Sequence, residues 1–219
     1  MEKQFVDRRD AGRQLAAKLA GYARYPGVLV LGLPRGGMPV AFEVARALHA
    51  PLDVFVVRKL GVPGHRELAM GAIASGGLRL LNMDLIEALG ISPAAVESVA
   101  DRELLEMERQ QRTYRGNRPL PELCGRTIII VDDGLATGST MRAATAALRQ
   151  SNPARIIVAA PVAAAETARE LWREVDEVVC VSTPLDFHSV SAWYADFSQT
   201  SDEEVRQLLE AGASVSRPA

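Results

Sequence analysis

The chain has 219 residues, 48% of them hydrophobic and 24% charged, with a formal net charge of −2 and a pI near 6.0. That size suits one domain with a real core, and the near-neutral balance leaves no electrostatic footprint for nucleic acid. The charged opening MEKQFVDRRD lacks the apolar stretch of a signal peptide, and the longest nearly apolar run, 156–165, is far short of the roughly 20 residues that span a bilayer. A cytoplasmic protein with no membrane or nucleic-acid partner is the expectation.

Taken in chain order, residues 7–22 read as an amphipathic helix, with Leu15 and Leu19 four apart and Asp7 near its start. GVLVLGL (27–33) is a short strand, followed by PRGG and a helical pattern over 38–48. LDVFVVRKL (52–60) reads as one buried strand, and GAIASGGLRLL (71–81) as two strands turning at 75–77. Residues 83–114 are helical in composition with a new start at Pro93, and Glu108 with Arg112 at i,i+4 suggests a solvated face. Cys124 and Cys180 stand far apart beside or within apolar segments, which reads as reduced, packed thiols without metal-ligand spacing.

From there the pattern turns regular. RTIIIVDD is a strand, 139–150 a helix, ARIIVAAPV a strand, 164–174 a helix and DEVVCVST a strand. Apolar strands alternating with helices predict an α/β fold, a mainly parallel twisted sheet with helices on both faces. The tail then gathers Phe187, Trp193, Tyr194 and Phe197 in a chain with only 5% aromatics, before a last helix at 202–211 and a fraying end at 214–219.

The most informative stretch is IIIVDDGLATGST, 128–140. In a parallel sheet, ligands bind at the carboxyl ends of strands, where Asp132 and Asp133 are expected. The loop after them opens a helix, whose first amides suit a phosphate. Its small residues allow close backbone approach. Two adjacent carboxylates beside a phosphate pocket fit a sugar diol, with a ligand-borne Mg2+ relieving their repulsion. A tight strand–helix turn capped by aspartates is the competing explanation; no Lys precedes the Ser–Thr pair, so this is not a Walker A loop.

This stretch resembles the phosphoribosyl pyrophosphate (PRPP) motif of the type I phosphoribosyltransferase family. The resemblance implies that Asp132 and Asp133 hold the ribose hydroxyls. It also implies that Gly134 and the segment Ala136, Thr137, Gly138, Ser139 and Thr140 surround the 5′-phosphate. LPRGG (33–37) resembles the family's pyrophosphate loop, placing Arg35, Gly36 and Gly37 there, often with a non-proline cis peptide. VRKLGVPGHRELAMG (57–71) resembles a mobile loop that closes over PRPP, with Arg58 and Lys59 on the pyrophosphate and His65 and Arg66 as further candidates. The aromatic tail is similar to the small hood that holds the base. Phe187 would stack on that base and Asp196 match a later carboxylate, although two extra residues separate them.

The resemblance therefore implies a single domain over 1–219, with a core of about 23–181 and a hood from about 1–10 and 182–219; a helical insertion at about 82–118 is not part of the family's standard core. The resemblance also implies a Mg2+-dependent transfer of the phosphoribosyl group from PRPP to a nitrogenous base, in a homodimer. The metal arrives on the ligand, since His49, His65 and His188 are scattered. Two departures disfavour a 6-oxopurine: Ala136 stands where such enzymes carry Asp, and VAAPVAAA offers no donor after its strand. The alternative is a non-catalytic PRPP- or nucleotide-binding regulator of the same fold. Arg35, Arg58 and Lys59 weigh towards catalysis, because a nucleotide sensor needs no pyrophosphate grip.

Overall fold

The computed structural model describes residues 4–23 and 25–215. Five strands, β1 (Val28–Gly32), β2 (Leu52–Val54), β6 (Thr127–Val131), β7 (Arg155–Val162) and β8 (Glu177–Ser182), form a parallel sheet in the order β2-β1-β6-β7-β8. Alternate side chains of each strand enter opposite cores. Leu29, Leu31, Ile128, Ile130, Ile156 and Val158 face α5 (Ser139–Arg149) and α6 (Ala165–Leu171). Val28, Val30, Ile129, Val131 and Ile157 face α1 (Arg8–Lys18) and α2 (Gly37–Leu48). With both faces covered, unbroken apolar strands are the stable solution. The expected doubly covered sheet is present.

Local signals set the helix ends. Asp7 caps α1 by accepting from the Asp10 amide at 2.7 Å; the helix stops at Lys18, and Ala20–Tyr22 form a 3-10 turn rather than its continuation. Ser92 caps α4 (Pro93–Arg115), with proline in the first turn, where its missing N–H costs nothing. Asn82 likewise caps α3 (Met83–Ala88).

The segment 52–60 is not one strand. β2 ends at Val54, the chain leaves the parallel sheet through buried Phe55 and Val56, and β3 (Val57–Val62) begins a separate antiparallel sheet with β4 (His65–Ala74) and β5 (Leu78–Leu81). Periodicity could not reveal the break, because the residues at the corner are as apolar as the strands beside it. The same sheet turns the expected glycine- and proline-punctuated loop of 57–71 into a two-stranded arm with its tip at Pro63–Gly64. The turn at 75–77 lies where it was expected, between β4 and β5.

α3 and α4 share a core with this arm and with α7 (Asp202–Val215): Leu60, Met70 and Ile73 meet Val96, Val99, Met107, Val205 and Leu208. α7 thus lies away from the aromatic cluster of Phe5, Tyr194, Phe187, Trp193 and Phe197. α7 also runs to Val215, beyond the expected 211; residues 216–219, part of the segment expected to fray, lie outside the described ones. Glu108 and Arg112 are solvated as expected, and Glu106 and Arg109 form an ion pair on the same helix at 2.8 Å. Cys124 is exposed, not packed, because its neighbour Leu123 takes the inward position. Burial pushes the Cys180 thiol up to about 11.

One buried ion pair ties α4 to the main sheet. The Arg115 guanidinium lies 3.0 Å from Asp53 on β2 and also donates to the Val54 carbonyl, with both charged residues nearly inaccessible to water. Removing one partner of such a pair strands the other charge. Asp53→Ala should therefore lower the unfolding free energy by about 3–5 kcal/mol in a urea titration; a loss below about 1 kcal/mol would place the pair among weak surface contacts.

Candidate active site

The order β2-β1-β6-β7-β8 reverses chain direction across the sheet between β1 and β6, and ligands of open α/β sheets bind in the crevice at such a switch point. The loop after β1 is PRGG; the residues after β6 are Asp132 and Asp133. Register brings them together, with Gly32 opposite Val131 and the Leu33 amide donating to the Val131 carbonyl at 2.9 Å. The Pro34–Arg35 peptide is cis. A Cβ on Gly36 would lie 2.0 Å from Asp133 Oδ2, and one on Gly37 would lie 2.7 Å from the Val131 carbonyl. Both glycines are needed for the two loops to touch.

The acidic pair is poorly hydrated. Burial and repulsion from Asp133 hold the Asp132 carboxyl well above its ordinary range, against the pull of the Asp133 amide, which donates to its Oδ1 at 2.9 Å. Burial also raises Asp133, though Arg8 opposes that shift through a 2.7 Å ion pair from Nε to Oδ2. Tyr194 donates its hydroxyl to the Asp133 carbonyl. Neither Arg8 nor Tyr194 was singled out from sequence as a site residue. The one sequence signal for Arg8 is a cation in the first turn of a helix, where the dipole disfavours it.

Behind the pair, the loop 134–140, expected from sequence to hold a phosphate, wraps a cavity of about 180 Å3 lined by Asp132, Gly134, Ala136, Thr137, Gly138, Ser139 and Thr140, with Val190 from the aromatic segment. Gly138 adopts φ +67° at the start of α5, and a Cβ there would meet Thr167 of α6 at 2.6 Å. Thr167 in turn donates its hydroxyl to the Ala136 carbonyl, so α6 braces the loop from below. Val190 closes over Gly134, where a Cβ would be 2.4 Å from its Cγ1.

The cationic side chains are spread around this centre. Lys59 Nζ donates to Ser139 Oγ at 2.6 Å, joining the arm to the phosphate loop. Arg58 pairs with Glu103 of α4 at 2.7 Å, and Arg35 lies 4.0 Å from Asp202 at the start of α7. Asp202 also accepts from Tyr114 at 2.7 Å, and burial and this carboxylate raise the phenol. Phe187 is partly buried against the aromatic cluster, shortly before Val190 in the chain. Asp196 is exposed and accepts from the Ser198 amide, which lowers its carboxyl. His65 is exposed at the tip of the arm; the Arg66 side chain lies outside the described residues. Among the described residues no group of three or more His, Cys, Asp or Glu could hold a metal, and no helix is long and apolar enough to cross a membrane. A roomier groove of about 860 Å3 runs between the arm and α5, but neither aspartate lines it.

The model of the phosphoribosyl transferase domain matches residues 3–193, and the chain belongs to that family. A crystal structure of the Thermus thermophilus protein TT1426 aligns at 42% identity and a TM-score of 0.84, covering 94% of this chain and 97% of that one. Two Mycobacterium tuberculosis proteins, from strains H37Rv and CDC 1551, are each 46% identical over 96% of this chain, and their names assign them provisionally to the phosphoribosyl transferases. The chain spans about half, 49%, of the length of these curated relatives.

The raised carboxyls have a consequence for stability. A group with a folded pKa above its unfolded value favours the folded state below the unfolded pKa, and that benefit is lost as pH rises through the folded one. Asp132→Asn should thus raise Tm by roughly 2–4 °C at about pH 7.5, the equivalent of about 1 kcal/mol in a chain of this size. The gain should shrink towards zero as pH falls to about 4, where the unfolded carboxyl protonates. A gain that is absent at neutral pH, or constant with pH, would contradict a desolvated, repelled carboxylate.

Proposed function

We propose that the chain is a Mg2+-dependent phosphoribosyltransferase, moving the 5-phosphoribosyl group of PRPP to a nitrogenous base with release of pyrophosphate. The observation that carries this reading is the convergence at one switch point of the Asp132 carboxylate, the braced loop 134–140 at the start of α5, and the PRGG loop. The loop amides and hydroxyls suit the 5′-phosphate, Asp132 and Asp133 the ribose hydroxyls, and the backbone around Arg35, Gly36 and Gly37 the pyrophosphate.

In this reading the bond from C1′ to pyrophosphate oxygen breaks with its electron pair leaving on pyrophosphate, while a base nitrogen bonds to the opposite face of C1′. The nitrogen then loses its proton to solvent. Arg35, Arg58 and Lys59 take up charge on the leaving group, so Arg58 and Arg35 exchange Glu103 and Asp202 for phosphate oxygens. Asp132, open to the cavity, fits a metal that arrives on the ligand; when bound, Mg2+ supplies further neutralisation of the pyrophosphate. Phe187 and Val190 offer the base apolar contact without hydrogen bonds, and Ala136 leaves the attack dependent on positioning. A homodimer, a cytoplasmic setting and a base other than a 6-oxopurine belong to the same proposal.

The test is pyrophosphate release from Mg·PRPP across purines, pyrimidines, orotate and small nitrogen heterocycles, with the folded Asp132→Asn, Asp133→Asn double variant as control. Release with one base, lost in the double variant, is the expected result. PRPP binding without release for any base would favour the regulatory alternative. Release that survives in the double variant would remove the acidic pair from the site.

A further inference from the structure

We propose that Arg8 is a positioning residue that makes the two aspartates unequal: it holds Asp133 in place through its Oδ2 and leaves Asp132 as the carboxylate open to the loop cavity. This rests on the proposed PRPP site.

Three independent features point to it. First, the Arg8 side chain is held at every end. Nε is 2.7 Å from Asp133 Oδ2, Nη1 donates to the Ser198 carbonyl at 2.6 Å, and Cζ lies 3.9 Å above the Phe197 ring. An arginine fixed by an ion pair, a carbonyl and an aromatic face has given up the rotamer freedom that a solvated arginine keeps. Second, the surroundings are shaped to admit the pair. A Cβ on Gly36 would strike Asp133 Oδ2 at 2.0 Å and approach Arg8 Nε at 3.3 Å. Arg8 also begins α1, directly after its Asp7 cap, where a cation opposes the helix dipole. A locally unfavourable residue in a tightly fitted place marks a functional demand. Third, the phosphate-loop cavity is lined by Asp132 and not by Asp133.

The contact also joins the chain's two ends at the site. Phe5 pairs with Tyr194, the Asp196 amide donates to the Val6 carbonyl at 2.8 Å, and Tyr194 packs against Phe197 at 5.0 Å between ring centres. Tyr194 then donates to the Asp133 carbonyl. Arg8 and Tyr194 therefore grip side chain and backbone of the same residue. The charged and titratable groups facing this centre are Arg8, Asp132 and Tyr194, with Asp196 facing Arg8 from the tail. Arg8 is the cation among them, and without it both carboxylates share one poorly hydrated place with no fixed counter-charge.

The experiment measures the affinity for Mg·PRPP and for ribose 5-phosphate by calorimetry for the wild type, Arg8→Met, Arg8→Lys, Asp133→Asn and the Arg8→Met, Asp133→Asn double variant. Arg8→Met should weaken binding of both on the order of tenfold. Arg8→Lys should restore much of it, and the double variant should lose no more than Asp133→Asn alone. Unchanged affinity in Arg8→Met, no rescue by Arg8→Lys, or additive losses would overturn the inference and leave Arg8 a packing residue. A wild type that does not bind Mg·PRPP at all would instead overturn the functional reading, together with the part of the inference that concerns the sugar.

Discussion

The site depends on a repulsion that the fold does not remove. Two carboxylates on consecutive residues, at the end of a strand buried on both faces, would each be better solvated in water, and both carry raised pKa values as a result. The surrounding elements read as responses to that constraint. Arg8 comes from the first helix to one carboxylate, Tyr194 from the tail to its carbonyl, and the PRGG loop gives up side chains at two positions so that all of them fit. A destabilised pair held in place by the rest of the molecule is what a binding site for hydroxyls and charge requires.

The loop side of the site is built differently. Its loop is made of small residues and owes its shape to support from α6, through Thr167, and to Val190 lying over Gly134. Lys59 adds a link from the antiparallel arm. That arm, α4 and α7 form a second body of structure with its own core, anchored to the main sheet by Arg115 and Asp53. It carries Glu103 on α4 and Asp202 on α7, which meet Arg58 and Arg35, so the helical insertion meets Arg58 through Glu103.

Much of this was legible in the sequence because the relevant signals are local. Strands such as IIIV at 128–131 are apolar on every residue, which requires two covered faces, and the acidic pair followed by a glycine-rich turn into a helix is a compact pattern. What could not be read depends on distant partners. The corner at Phe55–Val56 is as apolar as the strands it separates. The Arg8–Asp133 contact spans 125 positions, and nothing in DRRD says which of two arginines turns inward. Cys124 shows the same limit at short range: composition gives the character of a segment, whereas the side facing the core is decided by what packs there.

The most direct measurement is a backbone-amide NMR titration with ribose 5-phosphate, which carries the diol and the 5′-phosphate but no pyrophosphate. The account predicts the largest shifts at Gly134 to Thr140, with Asp132 and Asp133 moving in the same titration. Shifts confined to Ala69, Leu80, Leu81, Arg142 and Ala146 of the groove between the arm and α5, with Asp132 to Gly134 unmoved, would contradict it.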